Sequence, residues 1–510
     1  MKLFILALYF AVLIGIGFYC RKSATDVNGF VLGGRNVGPW LTAFAYGTSY
    51  FSAVVFVGYA GQFGWKYGIA ATWAGIGNAI IGSFLAWAIL GRRTRIMTQY
   101  LHSATMPQFF QARFGSQKLK ICASVIIFVF LIPYTASLYN GLSRLFGMAF
   151  NIDYSFCILL MAVLTGIYVI AGGYMATAIN DFIQGIIMLT GIVAVIAAVL
   201  KTKGGFMASL AGLAQVNDPT VTDTPGIFAS FFGPDPLGLL FVVLLTSLGT
   251  WGLPQMIQKF YAIKDEAAIQ KGTAISTLFA LVVAGGCYFL GGFGRLFSDQ
   301  IDIAANGFDS IIPTMLSNLS PMLIALVVIL VLSASMSTLS SLVITSASTL
   351  TLDFLKDNFL PNLSEKKQVA MIRGFIVVFI VISSLIALVQ HKSSVTFIAQ
   401  LMGVSWGALA GAFLAPFLYA LYWKKTSVAS CWVCFLFGSV LMMANMLFRS
   451  AFPVLLQSPI NCGVIAMIAG FILVPVVTWI SKKPNPTVVE KIFSCYNKKT
   501  EVPQKVALGE

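Results

Sequence analysis

The sequence contains thirteen apolar stretches, each close to the roughly 20 residues that a helix needs to cross the apolar core of a bilayer. Hydrophobic residues make up 58% of the chain and charged residues only 10%, whereas soluble proteins have about half and a quarter. The stretches span residues 3–20, 41–61, 69–91, 121–143, 154–171, 176–200, 237–258, 272–294, 321–350, 372–390, 396–422, 428–447 and 462–480. This pattern predicts an all-α polytopic membrane protein with about 13 transmembrane helices.

The basic residues cluster in alternate short loops between these segments, as the positive-inside rule describes for cytoplasmic loops. If the N-terminus lies outside, 24 of the 32 Lys and Arg residues fall in inner loops and the tail. We therefore expect a multi-pass protein of the cell membrane, with a transmembrane domain over 1–481 and a short cytoplasmic tail over 482–510. These loops account for the net charge of +15. The expected surroundings are the lipid bilayer, with no nucleic-acid partner, and no protein partner is implied.

Asp181 is the one acidic residue that falls inside an apolar segment. The other 16 acids fall in loops or the tail, and no basic residue is expected within the membrane to pair with it. A charge near the bilayer centre costs about 2.5 kcal/mol or more, so a carboxylate there indicates a functional site. The structural alternative is an aspartate near a helix end that reaches the cytoplasmic interface close to the 172–176 turn.

Two segments carry residues that interrupt helices. The second has Gly47 followed by hydroxyl and aromatic residues as far as Ser52, and the seventh has two glycines followed by Pro254. Gly and Pro disfavour helix interiors, and transporters place their sites where corresponding helices of two inverted halves unwind. Each break opens a five-segment block, about 41–200 and 237–422, which predicts an inverted repeat. The alternative is that small residues merely let the helices pack closely.

The ninth segment holds the densest hydroxyl cluster. Ala334, Ser337, Thr338 and Ser341 follow i, i+3, i+4 and i+7 spacing and so share one helical face, which Ser340 flanks. Hard cations prefer oxygen ligands, and an unwound backbone opposite this face would add carbonyl oxygens. The pattern favours a neutral site for a monovalent cation such as Na⁺. The alternative is a packing seam of Ser and Thr.

Motifs around these residues closely resemble the sodium/solute symporter family, which includes bacterial sodium/proline and pantothenate symporters and sodium/galactose carriers. They are Gly33-Gly34-Arg35-Asn36-Val37-Gly38, Gly172-Gly173-Tyr174-Met175-Ala176 continuing to Asn180-Asp181 and Gln184, Ala334 through Ser341, and Asp353. The resemblance extends over roughly residues 1–425. It implies a leucine-transporter-like fold in which two inverted five-helix repeats, segments two to six and seven to eleven, have one helix before them and two after.

The resemblance also implies where cations bind. The main sodium site of the family would take three backbone carbonyls and two hydroxyls, at Thr48, Phe51, Ala334, Ser337 and Thr338. Some members bind a second sodium between the aspartate of the sixth segment and hydroxyls of the ninth. The corresponding residues are Asp181, Ser340 and Ser341, together with Ser337. Na⁺ is therefore the expected coupling ion, and it would give Asp181 a cationic partner.

The solute pocket implied by the resemblance offers hydroxyls and rings but no fixed charge. Sugar carriers of the family use amide, acidic and basic side chains, whereas the corresponding stretches here offer no Glu or Lys. A dicarboxylate would need a buried arginine fork. Thr246 and Thr250 replace an aromatic pair of the proline carriers, and Tyr134 matches a pocket tyrosine of several members. The candidate solute residues are Tyr50, Ser52, Tyr134, Thr246, Thr250 and Trp251.

The sequence thus predicts a secondary active symporter that imports a small organic solute with sodium by alternating access. The solute class that fits is an amino acid-like zwitterion or a monocarboxylate. No covalent chemistry is implied, so an enzyme is not expected. Two alternatives are a proton-coupled permease in which Asp181 titrates, and a transporter-like sensor that does not transport. The signature of such sensors is a long C-terminal signalling domain, for which this tail is expected to be too short.

Overall fold

The computed structural model describes residues 2–150, 153–392, 398–498 and 500. Within them, side chains are described except at 2–5, 50, 144, 146–150, 305, 390–392, 398 and 399. These ranges are helical and contain no β-strand, and their two isolated bridges pair Val37 with Ile263 and Asp218 with Thr222.

Nine α-helices lie in the described residues up to 202. They are α1 (Lys2–Tyr19), α2 (Val27–Leu32), α3 (Pro39–Tyr50), α4 (Ala60–Tyr67), α5 (Thr72–Gly77), α6 (Arg92–Tyr100), α7 (Met106–Phe114), α8 (Gln117–Phe150) and α9 (Tyr154–Thr202). Wider π-helical turns occupy Val54–Tyr59, Asn78–Leu85 and Trp87–Gly91. Such turns are rare in proteins and occur frequently at functional sites.

Ten more α-helices lie in the described residues between 203 and 422. They are α10 (Phe206–Gln215), α11 (Pro236–Ser247), α12 (Pro254–Ala262), α13 (Glu266–Gly291), α14 (Ile303–Asn306), α15 (Ile311–Ser317), α16 (Pro321–Thr349), α17 (Asp357–Phe359), α18 (Glu365–Lys392) and α19 (Ile398–Tyr422). A 3-10 turn, Leu248–Gly252, connects α11 to α12. After α19 come α20 (Val428–Leu447), α21 (Val454–Gln457), α22 (Pro459–Ile480) and α23 (Pro486–Phe493).

Ten helical stretches of the described residues are long and apolar enough to cross a membrane, or eleven with the bent pair α11–α12. Two of them, Val54–Tyr100 and Tyr154–Thr202, contain 47 and 49 residues. A straight helix that long would measure about 70 Å, more than twice the roughly 30 Å bilayer core. Gly68 (φ 64°, ψ −144°) and Gly173 (φ 57°, ψ −147°) interrupt them. Each of the thirteen predicted segments is mostly helical where it is described, with breaks in the second and the seventh, while the number of crossings remains a prediction.

The central helix is α16. Every residue from Leu330 to Thr349 is buried, and the helix packs against α3, α8, α9 and α18. A helix that is buried on all sides over this length belongs to the protein core. The hydroxyls of its Ser and Thr residues are therefore removed from lipid and from bulk water, and they must find partners on neighbouring helices.

The described part of the tail folds back onto the predicted cytoplasmic ends of the helices. The guanidinium of Arg93 lies between the rings of Tyr422 and Tyr496, at 4.0 and 4.6 Å. Lys424 forms an ion pair of 2.7 Å with Glu490 on α23. These contacts join the tail to α6 and to the end of α19.

Candidate cation and solute sites

The helix of the second segment is broken where the cation site was predicted. α3 ends at Tyr50, and Phe51 adopts extended backbone angles (φ −97°, ψ 115°) before the π-helical turn begins at Val54. Gly47, the residue that suggested the break, stays within α3. A Cβ there would lie 2.4 Å from the ring of Phe279 on α13. Gly47 therefore permits close packing, and the break itself lies four residues further on.

Five oxygen atoms meet between this break and α16. Ser337 Oγ donates to the carbonyl oxygens of Thr48 and Ala334, at 3.1 and 3.0 Å. Thr338 Oγ1 lies 3.1 Å from Thr48 O, 3.4 Å from Phe51 O and 3.0 Å from Ala334 O. All five residues are at most 1% exposed. The structure thus brings together the five residues that the sequence analysis named for a main sodium site.

The spacing of these oxygens suits a small cation. Hard cations with oxygen ligands lie about 2.4 Å from each ligand, and at that distance neighbouring ligands at right angles are about 3.4 Å apart. The observed separations of 3.0–3.4 Å fall close to this value. Rotation of the two hydroxyl protons away from the carbonyls would free both hydroxyl oxygens to coordinate a cation beside the carbonyl oxygens. Because none of the five is charged, the shell would hold a monovalent ion without trapping it.

Asp181 has a basic partner, which corrects the prediction that the membrane offers none. Lys259 Nζ lies 3.9 Å from Asp181 Oδ2, and both side chains are buried. The predicted seventh segment ends at 258, which placed Lys259 in a cytoplasmic loop. In the structure α12 continues to Ala262, and all of its residues are buried. The predicted segment ended at 258 because a charged residue lowers the hydropathy of a stretch. A charged side chain can nevertheless be buried when it is paired with an opposite charge.

The hydroxyls predicted to share a second sodium with Asp181 contact other groups. Ser341 Oγ accepts a hydrogen bond of 3.0 Å from Lys259 Nζ and lies 2.9 Å from Ser49 Oγ on α3. Ser340 Oγ donates to the carbonyl of Ser337 at 2.9 Å. The ammonium of Lys259 therefore lies between the aspartate on α9 and the serine on α16.

Tyr134 lies in a group of buried aromatic side chains. Its ring meets Trp406 of α19 edge-to-face, with centroids 5.9 Å apart. The Tyr134 hydroxyl lies close to the indole nitrogen of Trp406, but among the described residues neither atom makes a hydrogen bond of good geometry, and nor does the nearby Tyr59 hydroxyl. The side chain of Tyr50 lies outside the described residues. Ser52 Oγ is close to the Tyr134 hydroxyl and accepts from the backbone of Val54.

The seventh segment is also broken, as its two glycines and proline predict. α11 and α12 meet at 49° across the turn at Leu248–Gly252. Thr246 and Thr250 donate their hydroxyls to backbone carbonyls of their own segment, at 2.8 and 2.7 Å. Trp251 Nε1 donates to the carbonyl of Ile81, at 3.0 Å. Both threonines thus have local partners, and Trp251 links the break to the third segment.

Comparison with known proteins decides the family. The sequence profile of the sodium:solute symporter family matches residues 30–438. The chain belongs to this family. It is 28% identical over 483 residues to the osmoregulated proline transporter OpuE of Bacillus subtilis, covering 94% of each chain. It is 30% identical over 496 residues to a sodium/proline symporter of Staphylococcus aureus, covering 94% of this chain and 93% of that one.

A solved structure shares the fold of this symporter-family chain. A Na⁺-coupled sialic acid symporter, solved in a substrate-bound outward-open state and reported to have a novel Na⁺ site, superimposes with a TM-score of 0.74. The alignment covers 95% of this chain and 99% of that one, at 17% identity. Membership of the family makes this chain a membrane-spanning transporter and not an enzyme, and the superposition shows that it shares the fold of that symporter.

Three residues that line the candidate sites were missed by sequence reasoning. Lys259 lies one position past the predicted end of its segment, and Tyr59 follows the hydroxyl-rich break of the second segment by only a few residues. Trp406 stands between Gly403 and Gly407 in an otherwise apolar helix. Trp406 could have been found because a large ring with an N–H group stands between two glycines. Lys259 could have been found because it is a basic residue at the end of an apolar segment.

Proposed function

We propose that the chain imports a small zwitterion or monocarboxylate together with sodium, by alternating access. The observation that carries the proposal is the shell of five oxygens between the break in α3 and the face of α16. Sodium in this shell would connect a broken helix of one predicted repeat to a continuous helix of the other. Binding would thereby favour the arrangement in which those two helices are close.

Coupling follows from this geometry. The next residue after Phe51 is Ser52, which approaches the hydroxyl of Tyr134. If sodium holds the backbone at Phe51 in one conformation, it also fixes the position of Ser52 beside the proposed solute pocket. Because linkage between two ligands is reciprocal, a solute held there would raise the affinity for sodium by the factor by which sodium raises the affinity for the solute.

The proposed solute is small and carries at most one net charge. Buried rings whose polar edges lack well-formed hydrogen bonds, at Tyr59, Tyr134 and Trp406, suit a compact molecule with a few hydrogen-bonding groups. The amino ends of half-helices at the breaks favour a carboxylate. Two relatives named as proline transporters support an amino acid, while Thr246, Thr250 and Trp251 occupy the break where proline carriers place an aromatic pair.

A thermal-shift screen of the purified protein tests this function. We expect an amino acid or a monocarboxylate to raise the Tm in sodium buffer and to raise it much less in potassium buffer, because binding of the solute and of sodium is coupled. Proline, other small amino acids, short monocarboxylates, a hexose and a dicarboxylate form the panel. Stabilisation by the hexose or the dicarboxylate alone would refute the proposed solute class.

The hydroxyl of Tyr134 should be required for solute affinity more than for sodium affinity. We expect Tyr134→Phe to raise the solute concentration for half-maximal uptake about tenfold, because one lost hydrogen bond of about 1.4 kcal/mol corresponds to that factor. Half-saturating sodium should change less. Tyr139→Phe is the matched control, since Tyr139 is a second buried tyrosine of α8. If both variants change the solute concentration for half-maximal uptake equally, Tyr134 does not contact the solute.

We further propose that the N-terminus lies outside the cell membrane and the C-terminus in the cytoplasm, in agreement with the bias of basic residues. The measurement is a pair of reporter fusions. Green fluorescent protein attached after Lys498 should fluoresce, and alkaline phosphatase attached there should be inactive. Alkaline phosphatase inserted at Asp299, in a predicted outer loop, should be active. Active phosphatase after Lys498 together with inactive phosphatase at Asp299 would show that the orientation is the reverse of the one proposed.

A further inference from the structure

Lys259 is a buried cation whose surroundings resemble a cation-binding site. Its side chain is only 2% exposed, although α12 ends three residues later at Ala262. Nζ donates to Ser341 Oγ at 3.0 Å and lies 3.9 Å from Asp181 Oδ2. It also lies 5.0 Å from the ring centre of Tyr174, a favourable position for a cation. The ammonium thus contacts groups on both α9 and α16.

The carboxylate of Asp181 depends on this ammonium. Among the described residues, neither Asp181 oxygen has a hydrogen-bond partner, and Lys259 is its one ion-pair partner. A buried carboxylate without hydrogen bonds or a counter-ion is strongly disfavoured. The ionised form of Asp181 therefore needs a nearby cation, and the chain supplies one from its own α12.

The residues that hold this ammonium are those predicted to hold a second sodium. Asp181 and Ser341 were assigned to that site from the sequence, and both contact Lys259 Nζ. We propose that Lys259 is a tethered cation that takes the place of a second sodium, so that this chain binds and couples to one sodium ion only. The inference rests on the proposed function, in which the five-oxygen shell binds the first.

Electrostatics explains why the ammonium and a second ion would exclude one another. Lys259 already neutralises Asp181, so a sodium ion added beside Asp181 would lie about 4 Å from a like charge. At the effective dielectric constant of about 20 typical of such sites, that repulsion weakens binding about a thousandfold. The five-oxygen shell lies on the neighbouring turn of α16, farther from Nζ, so the repulsion is weaker there and the Asp181 carboxylate offsets part of it.

The test counts sodium ions bound to the purified protein. Equilibrium binding of radioactive sodium, without solute, should saturate at one ion per molecule of the unmodified chain. Lys259→Met removes the ammonium and leaves Asp181 without a partner, so this variant should bind two ions. Lys259→Arg keeps the positive charge and serves as the matched control, with one ion expected. Adding Ser337→Ala and Thr338→Val to Lys259→Met should remove one of its two ions.

The outcomes separate this inference from the proposed function. Two ions bound to the unmodified chain, or one ion bound to a Lys259→Met protein that elutes as a single symmetric species, would overturn the tethered-cation role. No sodium bound to the unmodified chain would instead overturn the proposed function. If Lys259→Met does not fold, the count for the unmodified chain still decides: one ion supports the inference and two ions refute it.

Discussion

Ser337→Ala combined with Thr338→Val is expected to raise the sodium concentration for half-maximal uptake at least about tenfold. The two hydroxyls are two of the five oxygens in the shell. An interaction between a hydroxyl and a charged group contributes about 1.5–3 kcal/mol, and 1.4 kcal/mol corresponds to a factor of ten. Water can enter the site and replace part of the lost hydroxyl coordination, so the combined effect should be smaller than the sum of the two hydroxyl contributions. The amount of protein in the membrane should stay unchanged.

Ser348→Ala is the matched control for this pair. Ser348 is a buried serine of the same helix, and its hydroxyl donates to the carbonyl of Thr345 at 3.2 Å, outside the shell. Its replacement should leave half-saturating sodium unchanged. Initial rates of solute uptake measured over a series of sodium concentrations give the comparison. An unchanged sodium requirement in the double variant would mean that the shell is not the coupling site.

Asp181→Asn is expected to destabilise the protein strongly. Removing one partner of a buried ion pair leaves the other charge uncompensated and costs about 3–5 kcal/mol. The variant keeps the shape of the side chain but leaves the Lys259 ammonium with Ser341 as its nearest hydrogen-bonding partner. We expect a clear fall in the Tm of the purified protein, measured in the same buffer as the unmodified chain.

Asp181→Asn combined with Lys259→Met should recover most of the lost stability, because replacing both partners of a buried pair is often neutral. Glu490→Gln is the control for a surface pair. Its side chain is 65% exposed and pairs with Lys424, which is 49% exposed, and exposed pairs contribute little. An Asp181→Asn protein as stable as the unmodified chain would show that Asp181 and Lys259 do not form an interacting pair.

The residues of the candidate main cation site were predictable because much of their pattern is local in the sequence. Ser337 and Thr338 follow the periodicity of one helical face, and the resemblance to symporters identified the backbone positions opposite them. The break was predicted close to its observed position at Phe51. Gly47, which suggested the break, is instead needed for close packing against the ring of Phe279 on another helix. Helical periodicity therefore indicated the two hydroxyls, and the resemblance to symporters indicated the backbone carbonyls.

What the sequence did not predict depends on contacts between distant segments. Lys259 was excluded from the membrane because a lone charge there is costly, and only the folded chain brings it to Asp181. Trp406 and Tyr134 are far apart in sequence and meet only through the packing of α8 on α19. Thr246 was expected to face a solute, yet its hydroxyl donates to its own helix, a local competition that composition does not reveal.

Sodium-driven uptake into proteoliposomes tests the central claim most directly. Vesicles containing the purified protein, with equal pH on both sides, are given an inward sodium gradient and a labelled solute chosen from the thermal-shift screen. The account predicts transient accumulation above the external concentration, absent when potassium replaces sodium and absent with an inward proton gradient alone. Accumulation driven by protons in the absence of sodium would contradict the account and favour a proton-coupled permease.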